Sequence, residues 1–215
     1  MTRVYIIRHA QAEGNLLRRA QGHTNGAVTE TGMLQIRALE ERFKDIHIDA
    51  VYASDLLRTC TTAQAIYVPK GLPLHTNACF REYNMGVWEG RTWDEIFETD
   101  AENSDNFNWH LEKFSVEGGE TAQMVLDRFV PALRGICAEH DGQTIAVFSH
   151  GAAMRTVVTV LGGGKLEDVG ATDYCDNTAV SLLECEDGQF RVIFRDDNSH
   201  LTRAGLSTRP RIRRR

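Results

Sequence analysis

Val4-Tyr5-Ile6-Ile7-Arg8-His9-Ala10-Gln11-Ala12-Glu13-Gly14-Asn15 begins with apolar residues that are β-branched or aromatic, the composition of a parallel strand buried on both faces. The run stops at a cation, an imidazole, small residues and an Asn. In an open α/β sheet the carboxyl ends of the strands are where ligands bind. An Arg-His pair at that edge sets a permanent charge beside a nitrogen nucleophile, which suits capture and attack of a phosphoryl group. Taken alone, the pair fits an ordinary loop histidine or a satisfied polar contact better, so the rest of the chain has to decide.

A second stretch repeats the arrangement. Thr144-Ile145-Ala146-Val147-Phe148 is the clearest buried strand in the chain, and it ends at Ser149-His150-Gly151 before a helix over Ala152 to Leu161. A histidine at a helix start lies beside unpaired backbone N–H groups that favour an anion. Between these strands, Arg18 to Val28 reads as a polar loop, and Thr29 caps a helix with Met33, Ile36, Leu39 and Phe43 on its apolar face. Asp49 to Ala53 is a short strand. Ser54 is then expected to cap a helix through Ile66 that turns Leu56, Leu57, Ala63 and Ile66 inward. Arg58, one turn into that helix, comes near the edge that carries His9 if the two strands are parallel neighbours.

Leu72-Pro73-Leu74-His75 leads into a third short strand, followed by Arg81-Glu82-Tyr83. From Asn84 to Phe114 the chain is aromatic and irregular, with all three tryptophans and no helical or alternating period. It reads as an insertion, about 83–120, folded over the sheet edge as a lid or substrate wall. Gly118-Gly119-Glu120-Thr121 opens a long helix to about His140, which Pro131 should bend or divide. Ala179 to Cys185 and Phe190 to Phe194 form a hairpin around Asp187-Gly188. The expected architecture is a three-layer α/β/α sandwich with a mainly parallel sheet, over residues 1–208 as one domain.

Composition narrows the function. The chain has 215 residues, 42% hydrophobic and 25% charged, which is ordinary for a globular protein. No apolar run reaches membrane-spanning length, and Met1-Thr2-Arg3 leads straight into a strand, so neither a membrane nor a signal peptide is expected. The five cysteines are scattered and odd in number, which points to a reduced, cytoplasmic protein without a structural zinc. Of the 24 basic residues, five are arginines in the tail 209–215; the preceding chain carries 19 against 30 acidic groups, a net charge of −11. An acidic body argues against nucleic acid as a partner. An anionic substrate then needs specific arginines to overcome the background field.

The two histidines could be metal ligands, but no third histidine or carboxylate has matching spacing, and His47, His75, His110, His140 and His200 read as surface residues. A phosphate site explains more, with Arg8 and Arg58 as fork-shaped donors. In this pattern the chain resembles the histidine phosphatase superfamily, in its phosphoglycerate-mutase-like branch. Arg8-His9 with Asn15, Thr29 to Gly32, Ser54 to Thr59, Glu82 with Gly86 and Glu89-Gly90, Gly118 to Thr121, and Ser149-His150-Gly151 follow the family order. The resemblance covers residues 4 to about 185.

The resemblance implies a covalent mechanism without metal or cofactor. His9 would attack phosphorus, Arg8, Arg58 and His150 would hold the phosphoryl oxygens, and Glu82 would protonate the leaving oxygen and then activate water. Asn15, Gln21, Gly22 and Gly151 would also contact a small phosphorylated substrate. Ala10, Ala12 and Val116 depart from the family pattern. They leave the titrating groups untouched. The expected activity is phosphomonoester hydrolysis, with phosphoglycerate mutase-type transfer and a non-catalytic phospholigand-binding protein as alternatives. A short stretch after Phe194, with little apolar surface to dock, favours the phosphatase over the mutase. Cys185 and Arg191 match a cysteine-phosphatase spacing and Gly162 to Lys165 looks like a phosphate loop, but acidic neighbours and missing partners make both structural.

Overall fold

The computed structural model describes residues 1–207; the arginine tail named above lies outside the described residues. A six-stranded sheet in the order β3-β2-β4-β1-β5-β6 carries the fold. The parallel strands are β1 (Thr2–Arg8), β2 (Ala50–Ala53), β3 (Leu74–Thr76) and β4 (Thr144–Ser149), and β5 (Val180–Glu186) and β6 (Gln189–Asp197) add an antiparallel hairpin. The mainly parallel, layered fold read from the sequence is therefore present. β1 and β2 are parallel but not neighbours, because β4 lies between them. Their carboxyl ends still share one edge, and that is all the site requires.

Strand periodicity feeds two cores. Val4, Ile6, Ile145 and Val147 face one layer, with α6 (Ala122–Glu139) and α7 (Gly151–Leu161). Ile7, Val51, Ala146 and Phe148 face the other, with α2 (Glu30–Phe43) and α3 (Leu57–Lys70); the short α1 (Glu13–Leu16) lies between β1 and α2 in the chain. Successive side chains on a strand point to opposite faces, so a run apolar at every position must be covered twice. Thr29 caps α2 as expected, through a bond from Gly32 N at 3.1 Å, and Thr121 caps α6 through one from Met124 N at 3.4 Å. α6 runs on through Pro131, with no new segment starting there.

Several expectations are corrected. Ser54 does not cap α3; the helix starts at Leu57 after Leu56, and the Ser54 hydroxyl is used inside the site. Leu57 and Met33, expected to pack inward, are exposed. The segment 84–114 is not irregular. It holds α4 (Trp93–Thr99) and α5 (Ala101–Trp109), and α4 opens with a reciprocal cap between Thr92 and Glu95. Trp88, Phe107 and Phe114 from this segment are buried in the first core, where each large apolar side chain contributes roughly 1.5–3 kcal/mol. The stretch after β6 also docks. α8 (Ser199–Ala204) packs beside α2, Leu201 is fully buried, and Leu206 O accepts from Gln35 Nε2 at 3.1 Å. The lack of apolar surface there is therefore not a valid argument against a mutase. His200 on α8 is buried between Arg42 and Thr178 and is not a surface residue.

Candidate active site

The sheet edge brings the two histidines together. The β1–β4 register pairs Arg8 with Ser149, so His9 and His150 leave adjacent strands side by side, with ring centroids 5.2 Å apart. His9 N donates to Ser149 O at 2.9 Å, which fixes the His9 backbone to the neighbouring strand. Its Nδ1 lies 2.7 Å from Ala10 O. A carbonyl only accepts, so Nδ1 carries the proton and Nε2 keeps its lone pair. Burial, and then the charges of Arg58 and Arg8, push its pKa well below that of an ordinary histidine. The ring is held neutral, with Nε2 free of the backbone bond.

His150 is held in the opposite tautomer. Its Nδ1 accepts from Arg58 Nε at 3.2 Å, so Nε2 bears the proton and donates to Ser54 Oγ at 2.7 Å. Ser54 Oγ is 2.8 Å from Thr59 Oγ1, and that hydroxyl donates to Leu56 O at 2.6 Å. The chain of donors is closed at both ends. Burial is also the largest cause that lowers the pKa of His150, with the Arg58 charge next.

Glu82 sits at the start of α7. Oε2 accepts from Ala152 N at 3.0 Å, and Oε1 accepts from Ala153 N at 2.8 Å and from Tyr83 N at 3.1 Å. The backbone donors at the start of a helix thus hold the carboxyl group in place. Arg8 lies across the same helix start: a Cβ on Gly151 would come within 3.1 Å of its Nε, so a glycine there leaves the guanidinium its path. Arg8 Nη1 donates to Cys175 O at 2.5 Å, while its buried Nε has no partner among the described residues.

A cavity of about 610 Å³ opens in front of these groups. Arg8, His9, Asn15, Gln21, Glu82 and Gly151 line it, and the segment 84–114 supplies a wall that includes Trp93, Phe97 and Phe107. Arg58, His150 and Gly22 were expected to contact substrate but lie behind the cavity surface. Arg58 spends its donors on His150 and on the carbonyls of Gln21, Gly22 and Thr24. It reaches the site as a buried charge, its pKa lowered by burial to about 10 and so still cationic at neutral pH. Ala10 and Ala12 are fully buried and do not line the cavity, so their methyl groups face the interior.

Other residues support the site without having been read from the sequence. Asn177 Nδ2 donates to His9 O at 3.0 Å. Arg128 forms a two-pronged pair with Glu120 and donates to the carbonyls of Cys79, Arg81 and Glu82, which fixes the segment that carries Glu82. His23 donates from Nε2 to Glu82 O at 3.0 Å. Among the described residues, no group of three His, Cys, Asp or Glu is placed to hold a metal ion, and no helix is long and apolar enough to cross a membrane. Cys185 and Arg191 belong to the β5–β6 hairpin, and Gly162 ends α7, so neither decoy motif forms a phosphate loop.

Burying neutral histidines ties stability to pH. Burial lowers His200 to about 4 and moves His9 and His150 in the same direction. The unfolded chain, with histidines near 6.5, therefore binds more protons than the folded one below that pH. The stability contribution is complete above pH ~6.5 and is lost as pH falls. For His200 alone the loss down to pH 4 is about 3 kcal/mol. Urea unfolding at several pH values should show this decline, and a flat profile from pH 7 to 4 would contradict it.

A neutral buried imidazole, flanking guanidinium charges and a carboxyl group thus meet at one substrate-sized cavity. The chain belongs to the histidine phosphatase superfamily (branch 1), whose profile matches residues 4–198. It is 28% identical over 201 residues to phosphoserine phosphatase 1 of Hydrogenobacter thermophilus, covering 94% of this chain and 95% of that one. It is 33% identical over 167 residues to the probable phosphoglycerate mutase GpmB of Escherichia coli, covering 75% and 76%. The solved structure of Bacillus stearothermophilus YhfR superposes with a TM-score of 0.89 at 28% identity, over 94% of this chain and all of that one. The protein is a phosphatase or phosphoryl-transfer enzyme of this superfamily.

Proposed function

We propose that the chain hydrolyses small phosphomonoesters through a phosphohistidine on His9. The tautomer of His9 carries the argument: Nδ1–H is tied to Ala10 O, which leaves Nε2 as the only ring nitrogen able to attack. Attack forms the N–P bond while the ester P–O bond breaks, and Glu82 delivers a proton to the departing alcohol oxygen. Arg8 in the cavity and Arg58 behind it balance the charge that gathers on the phosphoryl oxygens. Water, deprotonated by Glu82, then attacks phosphorus, and His9 and inorganic phosphate are released. The similarity over nearly the full length of both chains to a phosphoserine phosphatase supports hydrolysis.

The 33% identity to a probable phosphoglycerate mutase favours transfer as a second reading, and the docked α8 leaves it open. The two readings differ in one assay. Given a panel of phosphorylated metabolites, the purified protein should release inorganic phosphate from a monoester without a bisphosphate primer and in the presence of EDTA. Fast interconversion of 2- and 3-phosphoglycerate that depends on 2,3-bisphosphoglycerate would replace hydrolysis with the mutase reading. Activity that vanishes in EDTA and returns with a divalent metal would remove both.

A further inference from the structure

The carboxylate of Glu89 fills a concavity of backbone donors. Oε1 accepts from His23 N at 2.7 Å and Met85 N at 3.2 Å, while Oε2 accepts from Gly22 N at 3.2 Å, Thr24 N at 3.4 Å and Thr24 Oγ1 at 2.9 Å. Successive N–H groups that converge in this way make an anion-binding nest. Here the anion is the protein's own side chain. The same loop turns its carbonyls in the other direction: Gln21 O, Gly22 O and Thr24 O accept from Arg58 at 3.3, 2.7 and 2.9 Å.

One short peptide therefore lies between a carboxylate and a guanidinium, giving its donors to the first and its acceptors to the second. The sandwich is tight. A Cβ on Gly22 would come within 2.2 Å of Tyr83 O and 2.3 Å of Glu89 Oε1, which only a glycine avoids. No ion pair among the described residues includes Arg58, although it is buried. Its charge is balanced at a distance, by Glu82 and by Glu89. Losing Glu89 would leave three successive N–H groups without their acceptor, and the loop would have to turn to find water. Arg58 would lose its carbonyl cradle in that movement.

We propose that Glu89 is a positioning residue for phosphoryl transfer, holding Arg58 beside His9 and His150 through the Gln21–Thr24 loop. The kinetic part of this inference rests on the phosphomonoesterase reading. A double-mutant cycle tests it, with Glu89→Ala, Arg58→Ala and the double variant assayed on p-nitrophenyl phosphate and on glycerol phosphate. Displacing a charged group by about 1 Å can cost ~10²-fold, so Glu89→Ala should lower kcat on that scale and equally for both esters. In the Arg58→Ala background the same change should cost less than about threefold, since residues that act through one another are not additive. Formate, which fits the emptied nest, should restore part of the activity of Glu89→Ala but not of the double variant.

Activity of Glu89→Ala within threefold of the wild type, or losses that multiply in the double variant, would overturn the proposal. So would a folded Glu89→Ala that formate leaves unchanged. If Glu89→Ala does not fold, Gly22→Ala supplies the same cycle, because its methyl forces the loop off Glu89. Calorimetric affinity for inorganic phosphate gives a readout without turnover. A wild type that hydrolyses neither ester removes the phosphatase reading, and the phosphate-affinity cycle still decides the role of Glu89.

Discussion

His9→Ala is expected to lower monoester turnover by roughly 10⁴-fold or more, the scale on which an enzyme loses a covalent nucleophile. The fold should survive. The imidazole makes one side-chain bond, to Ala10 O, and the residue's other ties run through its backbone to Ser149, Asn177 and Thr178. Removing a buried, neutral ring that would be protonated more easily in the unfolded chain also removes part of the instability at low pH. Rapid mixing with labelled substrate followed by denaturation should leave an acid-labile, base-stable phosphate on the wild type and none on the variant. Label on serine or cysteine, or turnover that persists in the variant, would contradict the role of His9.

Glu82→Gln should separate substrates by their leaving groups. A sugar or serine alkoxide needs a proton as it departs, and general acid catalysis is commonly worth ~10²–10⁴-fold. A nitrophenolate leaves well without one. The variant is therefore expected to lose activity toward alkyl esters at that scale and toward p-nitrophenyl phosphate much less. Its amide also presents NH₂ where Ala152 N and Ala153 N donate, so a loss shared by both substrate types would show that Glu82 instead orders the start of α7. Comparing the two kcat/KM ratios decides between proton donor and structural anchor.

The parts of this molecule written in local pattern were legible in the sequence. Residues 4–7 of β1 and 145–148 of β4 are apolar at every position because both faces are covered, and Asp187-Gly188 turns the hairpin with both residues at positive φ. α4 was equally legible, since Thr92-Trp93-Asp94-Glu95 carries the reciprocal cap, but the surrounding aromatics hid its short period. Ser54 shows the opposite case. A serine before a helical run reads as a cap, and only the third dimension reveals that His150 claims its hydroxyl. Arg128 and His23 escaped notice because their partners are backbone carbonyls far along the chain, and a backbone acceptor leaves no residue signature. Glu89 was visible beside Gly90, but the backbone donors that converge on it were not. Gly22 was visible as part of a turn. That its missing Cβ serves a contact with Tyr83 was not.

The pairing of β1 with β4 also acts as a ruler. Neighbouring strands lie about 4.8 Å apart wherever a sheet forms, whatever their side chains. Two histidines that each follow the last residue of adjacent parallel strands inherit that spacing, as the 5.2 Å between their rings records. The width of the site is thus set by backbone hydrogen bonds and not by the packing of the helices around it. The helices, the cavity wall and the hairpin can exchange most of their residues without moving the two imidazoles relative to each other. A chain that keeps 28% identity with a relative can therefore still superpose on it with a TM-score of 0.89, and descent can rework what enters the cavity while the gauge at its floor stays fixed.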